Sequence, residues 1–465
     1  MAYESKINSG KIIYMVLLGI MAVGVFCFWL FRYPFIPVVR EGLQLFLWTG
    51  DYFAERIVIP GGFAQYLGEM ICQFFINPIN GAIAYTVIFI VAQLLSAQWV
   101  KRLFPSMKAA YRFVLSLVVP ALLWWMAMNP QIPMTLTVAV LLVMGAGCLQ
   151  THPQPFPEGK GEVRRWVSWG CWVLVAVPVM YWLAGPVAVV LCLLPTHPQP
   201  LPVKEGRSNS SSAPSKGKGA QSLSLTRRIC WVAVSLVVFA VCLIGSSFLT
   251  PYPLRQVVKG IDYTAADNRV GMLMSTYEEM ECDMLMRQGE WQQVIHRFQN
   301  PESPAVRSAV LFAYHKAGAM GKMELMRTLV IPTQEQTAPL SVFNTGEVHF
   351  IVNFGSVSSA FIVSDMAMRL NWTNIAQRVA FDAMEYIPNC NKSGRALKRL
   401  VETNIISGHY DVARKYIDIL EKTTFYREWA QSMRQVTDNP ELIKKHPYLY
   451  EASKEYANAV DVFFI

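Results

Sequence analysis

The chain has 465 residues, of which 53% are hydrophobic and only 16% charged. Water-soluble domains carry about 25% charged residues, so a purely soluble globule is excluded and lipid is expected to solvate much of the chain. The net charge of +9 divides unevenly: residues 1–248 hold 18 Lys and Arg against 8 Asp and Glu, while residues 249–465 hold 23 against 24. The basic excess belongs to the apolar half, where it reports membrane orientation; no nucleic-acid partner is expected.

Seven apolar segments follow one another at about 12–31, 79–97, 111–128, 132–149, 166–184, 185–200 and 229–248. A span needs about 20 apolar residues. The fourth is a little short but unbroken by charge. The sixth, GPVAVVLCLLP, supplies about half a span and is either a short crossing or a re-entrant helix. The first is too long for a signal-peptide core and is followed by FRYPFIPVV rather than a small-residue cleavage site, so it is expected to stay as an anchor.

With seven spans and the N-terminus inside, 15 of the 18 basic residues of the first half fall in cytoplasmic segments, leaving Arg32, Arg40 and Arg56 outside. That asymmetry predicts a multi-pass protein of the bacterial inner (cytoplasmic) membrane with a periplasmic C-terminal domain.

Residues 33–78 form the first outside loop. Within it, PGGFAQYLGEMICQFFINP (60–78) has helical periodicity, with Phe63, Tyr66, Leu67, Met70, Ile71, Phe74 and Phe75 on one face. Gln65, Glu69 and Gln73 form a ridge on the other. The expectation is an interfacial amphipathic helix whose aromatic stripe faces lipid or the spans, with the ridge facing water or the C-terminal half.

Two cytoplasmic loops share the sequence T-H-P-Q-P-x-P, beginning at Thr151 and Thr196. Pro, Ser, Gly and Lys cannot bury a core, so 151–164 and 196–221 are expected to be exposed, low-complexity inserts.

After a linker at 249–269, residues 270–465 alternate helix, short turn, helix, with turns expected at Gly289, Gly318–Gly321, Asn371 and Gly408. Gly-Glu-Trp at 289–291 and Gly-His-Tyr-x-x-Ala at 408–413 resemble turns of tetratricopeptide repeats. The fold class expected is all-α: a polytopic membrane bundle of about 7 spans, then a soluble α-solenoid of degenerate tetratricopeptide-like pairs. Residues 331–356 are expected to interrupt the array as a long loop. Such an array suits envelope proteins or peptides as partners, beside the membrane lipid itself.

Little chemistry is legible. No phosphate loop, HExxH, GxSxG or metal-spaced His/Cys set occurs, so neither a metal nor a cofactor is expected. Cysteines show no CxxC, and a Cys282–Cys390 bridge is left open. The loop 33–78 does gather Arg40, Glu41, Asp51, Glu55, Arg56 and Glu69. Multi-span glycosyltransferases using lipid-linked donors have a similar plan, with a carboxylate in the first outside loop as general base or ligand of a divalent metal. On that alternative, Asp51, followed by Glu55, carries the catalysis. Otherwise the carboxylates face water and pair with Arg40 and Arg56.

LFLWTGDYFAERIVIPGGFAQYLGEMICQFFINPINGA, from Leu45 to Ala82, carries Thr49, Asp51 and Tyr52, then Pro60-Gly61-Gly62, Tyr66, Gly68 and Met70. Gln73-Phe74-Phe75, Pro78, Gly81 and Ala82 complete the pattern. It resembles a Bacteroidota family of multi-span membrane proteins, the domain of unknown function 6057. The resemblance implies a tetratricopeptide-like C-terminal region and names no activity. The function expected is therefore an inner-membrane protein with a helical-repeat domain for protein interaction in cell-envelope assembly.

Overall fold

The computed structural model describes residues 2–105, 107, 109–149, 161–192, 219–249, 254–259, 274–322, 324–325, 342–344, 347–349, 356–385, 387 and 392–458. The inserts and the linker lie largely outside these residues, and so does most of the 331–356 loop. Within that loop, Val342–Asn344 and Glu347–His349 pair as a short antiparallel hairpin; everything else regular is helical.

Among the described residues, three stretches are long and apolar enough to cross a membrane: Ile12–Arg32, Pro78–Leu103 and Val173–Cys192. Tyr111–Ala127, Met134–Cys148 and Val232–Phe248 are shorter apolar helices. Seven crossings are thus not established by length, although the apolar helices fall where the periodicity and hydropathy put them.

Helix α1 (Ala2–Cys27) runs on through a wider turn at Phe28–Arg32. Three helices follow, α2 (Phe35–Gly42), α3 (Gly50–Ile57) and α4 (Gly62–Cys72), before α5 (Pro78–Leu103). Each start has a local cause. Thr49 caps α3 by accepting from Tyr52 N at 3.2 Å. Asn77 caps α5 by accepting from Asn80 N at 2.8 Å, with Pro78 preset at the first position.

Next come α6 (Ala109–Ser116), α7 (Val118–Ala127), α8 (Met134–Leu149) and α9 (Gly161–Ala184). Arg102 near the end of α5 donates to the last carbonyls of α8, Gly147 O at 2.6 Å and Cys148 O, so these two helices finish at the same end of the bundle.

Gly185 ends α9 with a left-handed φ of 64°. The short α10 (Val189–Cys192) then packs along the next helix, α11 (Gly219–Leu249). Tyr181 lies 2.7 Å from Ser246 Oγ, and Cys192 Sγ points to Ser235 O at 3.5 Å, so both sides of the Gly185 break lie against α11.

After α12 (Leu254–Lys259) the second half is a sequence of packed helices: α13 (Met274–Gln288), α14 (Trp291–Arg297), α15 (Pro304–Lys316), α16 (Val357–Arg369) and α17 (Thr373–Glu385). It closes with α18 (Gly394–Ile406), α19 (Tyr410–Leu420), α20 (Arg427–Asp438) and α21 (Pro447–Asn458). Positive φ at Gly289, Gly318, Asn371 and Gly408 marks four of the turns, where the sequence places them. Neighbours in sequence are neighbours in space, and the array shares one buried core with the apolar half.

Candidate functional site

Segment 33–78 closes one end of the helix bundle. Gly68 of α4 crosses the start of α8 so closely that a side chain there would lie 2.8 Å from Thr135 N. The α3–α4 turn is tied to the end of α9 by two bonds of 2.8 Å, Trp182 Nε1 to Ile57 O and Gly61 N to Trp182 O. Arg40 is buried and donates to Asn129 O at 2.9 Å, Ala127 O at 3.3 Å and Ile132 O, where the unpaired carbonyls after α7 need donors. The pairing of Arg40 with loop carboxylates expected from sequence does not occur, because the nearer backbone carbonyls take its donors.

Asp51 and Glu55 both lie on the exposed side of α3. Asp51 sits in the first turn, where a helix N-terminus favours a carboxylate. Glu55 is 3.5 Å from Arg56 Nη1, with its side chain 72% exposed. Between them, Tyr52 points inward, and with it begins the polar cluster of the segment. Glu69 is its hub: Arg56 Nε donates to Glu69 Oε2 at 3.1 Å, Gln65 Nε2 donates to Oε1 at 3.1 Å, and the Tyr52 hydroxyl contacts Oε2. The Arg56 guanidinium also lies over the Tyr52 ring, 4.6 Å from its centroid. Burial pushes the Glu69 carboxyl above its ordinary range, while Arg56, Tyr52 and Gln65 pull it back. Burial likewise raises the Tyr52 hydroxyl, as does the Glu69 charge.

This overturns the expected facing of the ridge. Gln65 is 5% exposed and Glu69 only 2%, whereas Phe74 is 43% exposed. Gln73 reaches the C-terminal half, where Thr424 Oγ1 donates to Gln73 Oε1 at 2.6 Å. The reason lies in the packing: α4 is laid against α8 and α3, and an amide and a carboxylate cut off from water there hold only because they satisfy each other with Arg56 and Tyr52.

A seam joins the segment to the array. Tyr426 donates to Glu41 Oε1 at 2.8 Å, and Glu41 is buried. Trp48 N donates to Lys422 O at 2.9 Å, and its indole donates to Thr424 Oγ1. Tyr277 of α13 donates to Met128 O at 3.2 Å. Segment and array therefore share one end of the bundle.

Between α2 and the array lies a narrow crevice bordered by Val38, Arg287, Phe361 and the Asp283–Arg395 pair. Arg395 grips Asp283 through two bonds of 2.6 and 2.7 Å and reaches Asp365 at 2.7 Å; Arg399 holds Asp365 and Glu402. Burial would raise the Asp365 carboxyl, but Arg395 and Arg399 hold it well below the usual carboxylate range. The sequence reading missed this network. Its one available signal was Arg395 and Arg399 standing four apart, on the same face of α18. Among the described residues, no group of three or more His, Cys, Asp or Glu could hold a metal ion.

The fold and this capped bundle define a helical protein whose apolar helices are compatible with a membrane. The chain belongs to a family of unknown function, DUF6057, which matches residues 8–465. No curated protein and no solved structure matches it.

Proposed function

We propose that the protein is a multi-pass scaffold of a bacterial inner membrane, holding a helical-repeat platform on the periplasmic side for envelope proteins or peptides. The observation that carries this reading is the seam. Glu41, Trp48 and Gln73 tie the array to the segment that caps the spans, so the array is held at a fixed height and tilt. Rigid mounting of a repeat surface suits a platform, since a partner then loses less orientational freedom on binding.

The left-handed break at Gly185 separates the sixth apolar segment from the fifth, which supports a crossing of its own and so seven spans. Lys101 and Arg102 lie at the bundle end away from the seam, which supports a cytoplasmic assignment for that end.

The glycosyltransferase alternative keeps Asp51, with Glu55 behind it, as base or ligand of a divalent metal. Their exposure on α3 is the observation in its favour. The test is the Asp51→Asn/Glu55→Gln double variant, with insertion checked by membrane fractionation. Unchanged surface glycans, and heteromeric adducts on crosslinking in native membranes, are the expected results. Altered glycans from an inserted variant would overturn the scaffold in favour of the transferase. A wild-type chain that crosslinks to no other protein would also overturn it.

A further inference from the structure

The array presents an apolar tip beside the capping segment. Between α19 and α20, the turn at Lys422–Tyr426 lies against the capping segment, and its apolar tip, Phe425, is turned outward at 37% exposure. Phe425 meets Phe74 edge to face, 5.8 Å between ring centroids. Trp48, 49% exposed, bonds the adjacent Thr424 through its indole. Three large aromatic side chains from three parts of the chain thus form one outward cluster.

What covers this cluster is indicated by the surface it continues. From Phe74 the chain enters α5, where Ile79, Ile83 and Val87 stand exposed at intervals of four residues. That interval keeps them on one face of the helix. The helix is long and apolar enough to cross a membrane, so this row faces hydrocarbon and Phe74 with Phe425 stands at its head. Exposed Lys422 and Arg427 flank the turn, with Glu428 exposed beside them and Arg427 Nε donating to Glu421 O at 3.0 Å. Aromatic rings level with headgroups and basic side chains reaching the phosphates are the usual furnishings of a membrane interface. A protein partner would interrupt the apolar row; lipid continues it.

We infer that the Thr424–Phe425 turn, with Trp48 and Phe74, is a lipid-contacting foot by which the helical array rests in the phospholipid interface of the leaflet next to the seam. The inference rests on the membrane reading above, and the test separates the two. A photoreactive p-benzoylphenylalanine is placed singly at positions 425, 31 and 412 of the full chain in native membranes, and adducts are identified by mass after irradiation. Position 31 is the exposed Phe31 at the end of the first apolar stretch. Position 412 is the exposed Val412, ten residues before Lys422 at the far end of α19, about 15 Å back along that helix.

Phospholipid adducts at 425 and 31, absent at 412, are the expected result. Lipid at 31 with none at 425, or protein adducts at 425, would overturn the foot and leave the membrane reading standing. No lipid at 31 would overturn the membrane reading and the foot together. Equal lipid labelling at 412 and 425 would overturn the assignment of the contact to this turn.

Discussion

Glu279 shows how single buried carboxylates are used here. It is 5% exposed and accepts from Ser303 Oγ at 2.6 Å and from Ser356 Oγ. Those serines begin α15 and α16, so one side chain ties α13 to two helix starts. Burial raises its carboxyl, with the serines opposing. A carboxyl raised in the fold binds its proton more tightly than in the unfolded chain, where Glu titrates near about 4.3. Its contribution is therefore full below that value and is lost as pH rises through the raised one. Glu279→Gln keeps the shape without the ionisation. Melting temperature followed upward in pH from the ordinary carboxylate range should fall less steeply in the variant than in the wild type; an identical slope would refute the assignment. No sequence pattern announces Glu279, because a glutamate on a helix looks solvated until the partners of its face are known.

At the scale of elements, α4 is the instructive case. Its existence, its start after Pro60-Gly61 and its two faces are all legible from the 3.6-residue period. Which face turns inward is not, since periodicity separates two faces without naming the solvent on either side. Gly68 belongs to the same helix, and its role follows from the crossing with α8. Gly68→Ala puts a methyl group against backbone atoms, 2.8 Å from Thr135 N and 3.1 Å from Met134 C, which cannot swing away. The expected cost is about 1–3 kcal/mol, read as a lower melting temperature in detergent. Gly24→Ala in α1 meets nothing within 4 Å and should cost nothing, or gain up to about 1 kcal/mol in an exposed helix. Equal effects of the two substitutions would refute the close crossing. Asp51 and Glu55 were legible as exposed residues of a short helix, whereas Tyr52, Arg56 and Glu69 became a cluster only when α3 folded against α4.

For the molecule as a whole, the decisive feature is that the array and the 33–78 segment occupy the same end of the bundle. A C-terminal phosphatase fusion should accordingly be active and a fluorescent-protein fusion dark, while N-terminal fusions report the cytoplasm. A fluorescent C-terminal fusion would place the seam inside and reverse the proposed orientation. The fusion fixes the absolute side; the Tyr277–Met128 and Tyr426–Glu41 bonds have already fixed the relative one.

The class of the chain, the positions of its apolar helices, the turns at Gly289, Gly318, Asn371 and Gly408, and the family are all legible along the chain. Each is written in local composition or in a short period, which the chain cannot change by folding. Helix packing, by contrast, turns Gln65 and Glu69 inward, gives Arg40 to backbone carbonyls, and brings Arg395 and Arg399 onto Asp283 and Asp365. It also brings Phe425 of the array to rest beside Phe74. These are contacts across 4 to about 350 positions of chain. Their energies depend on which groups meet in the absence of water, and that is set only when the helices pack.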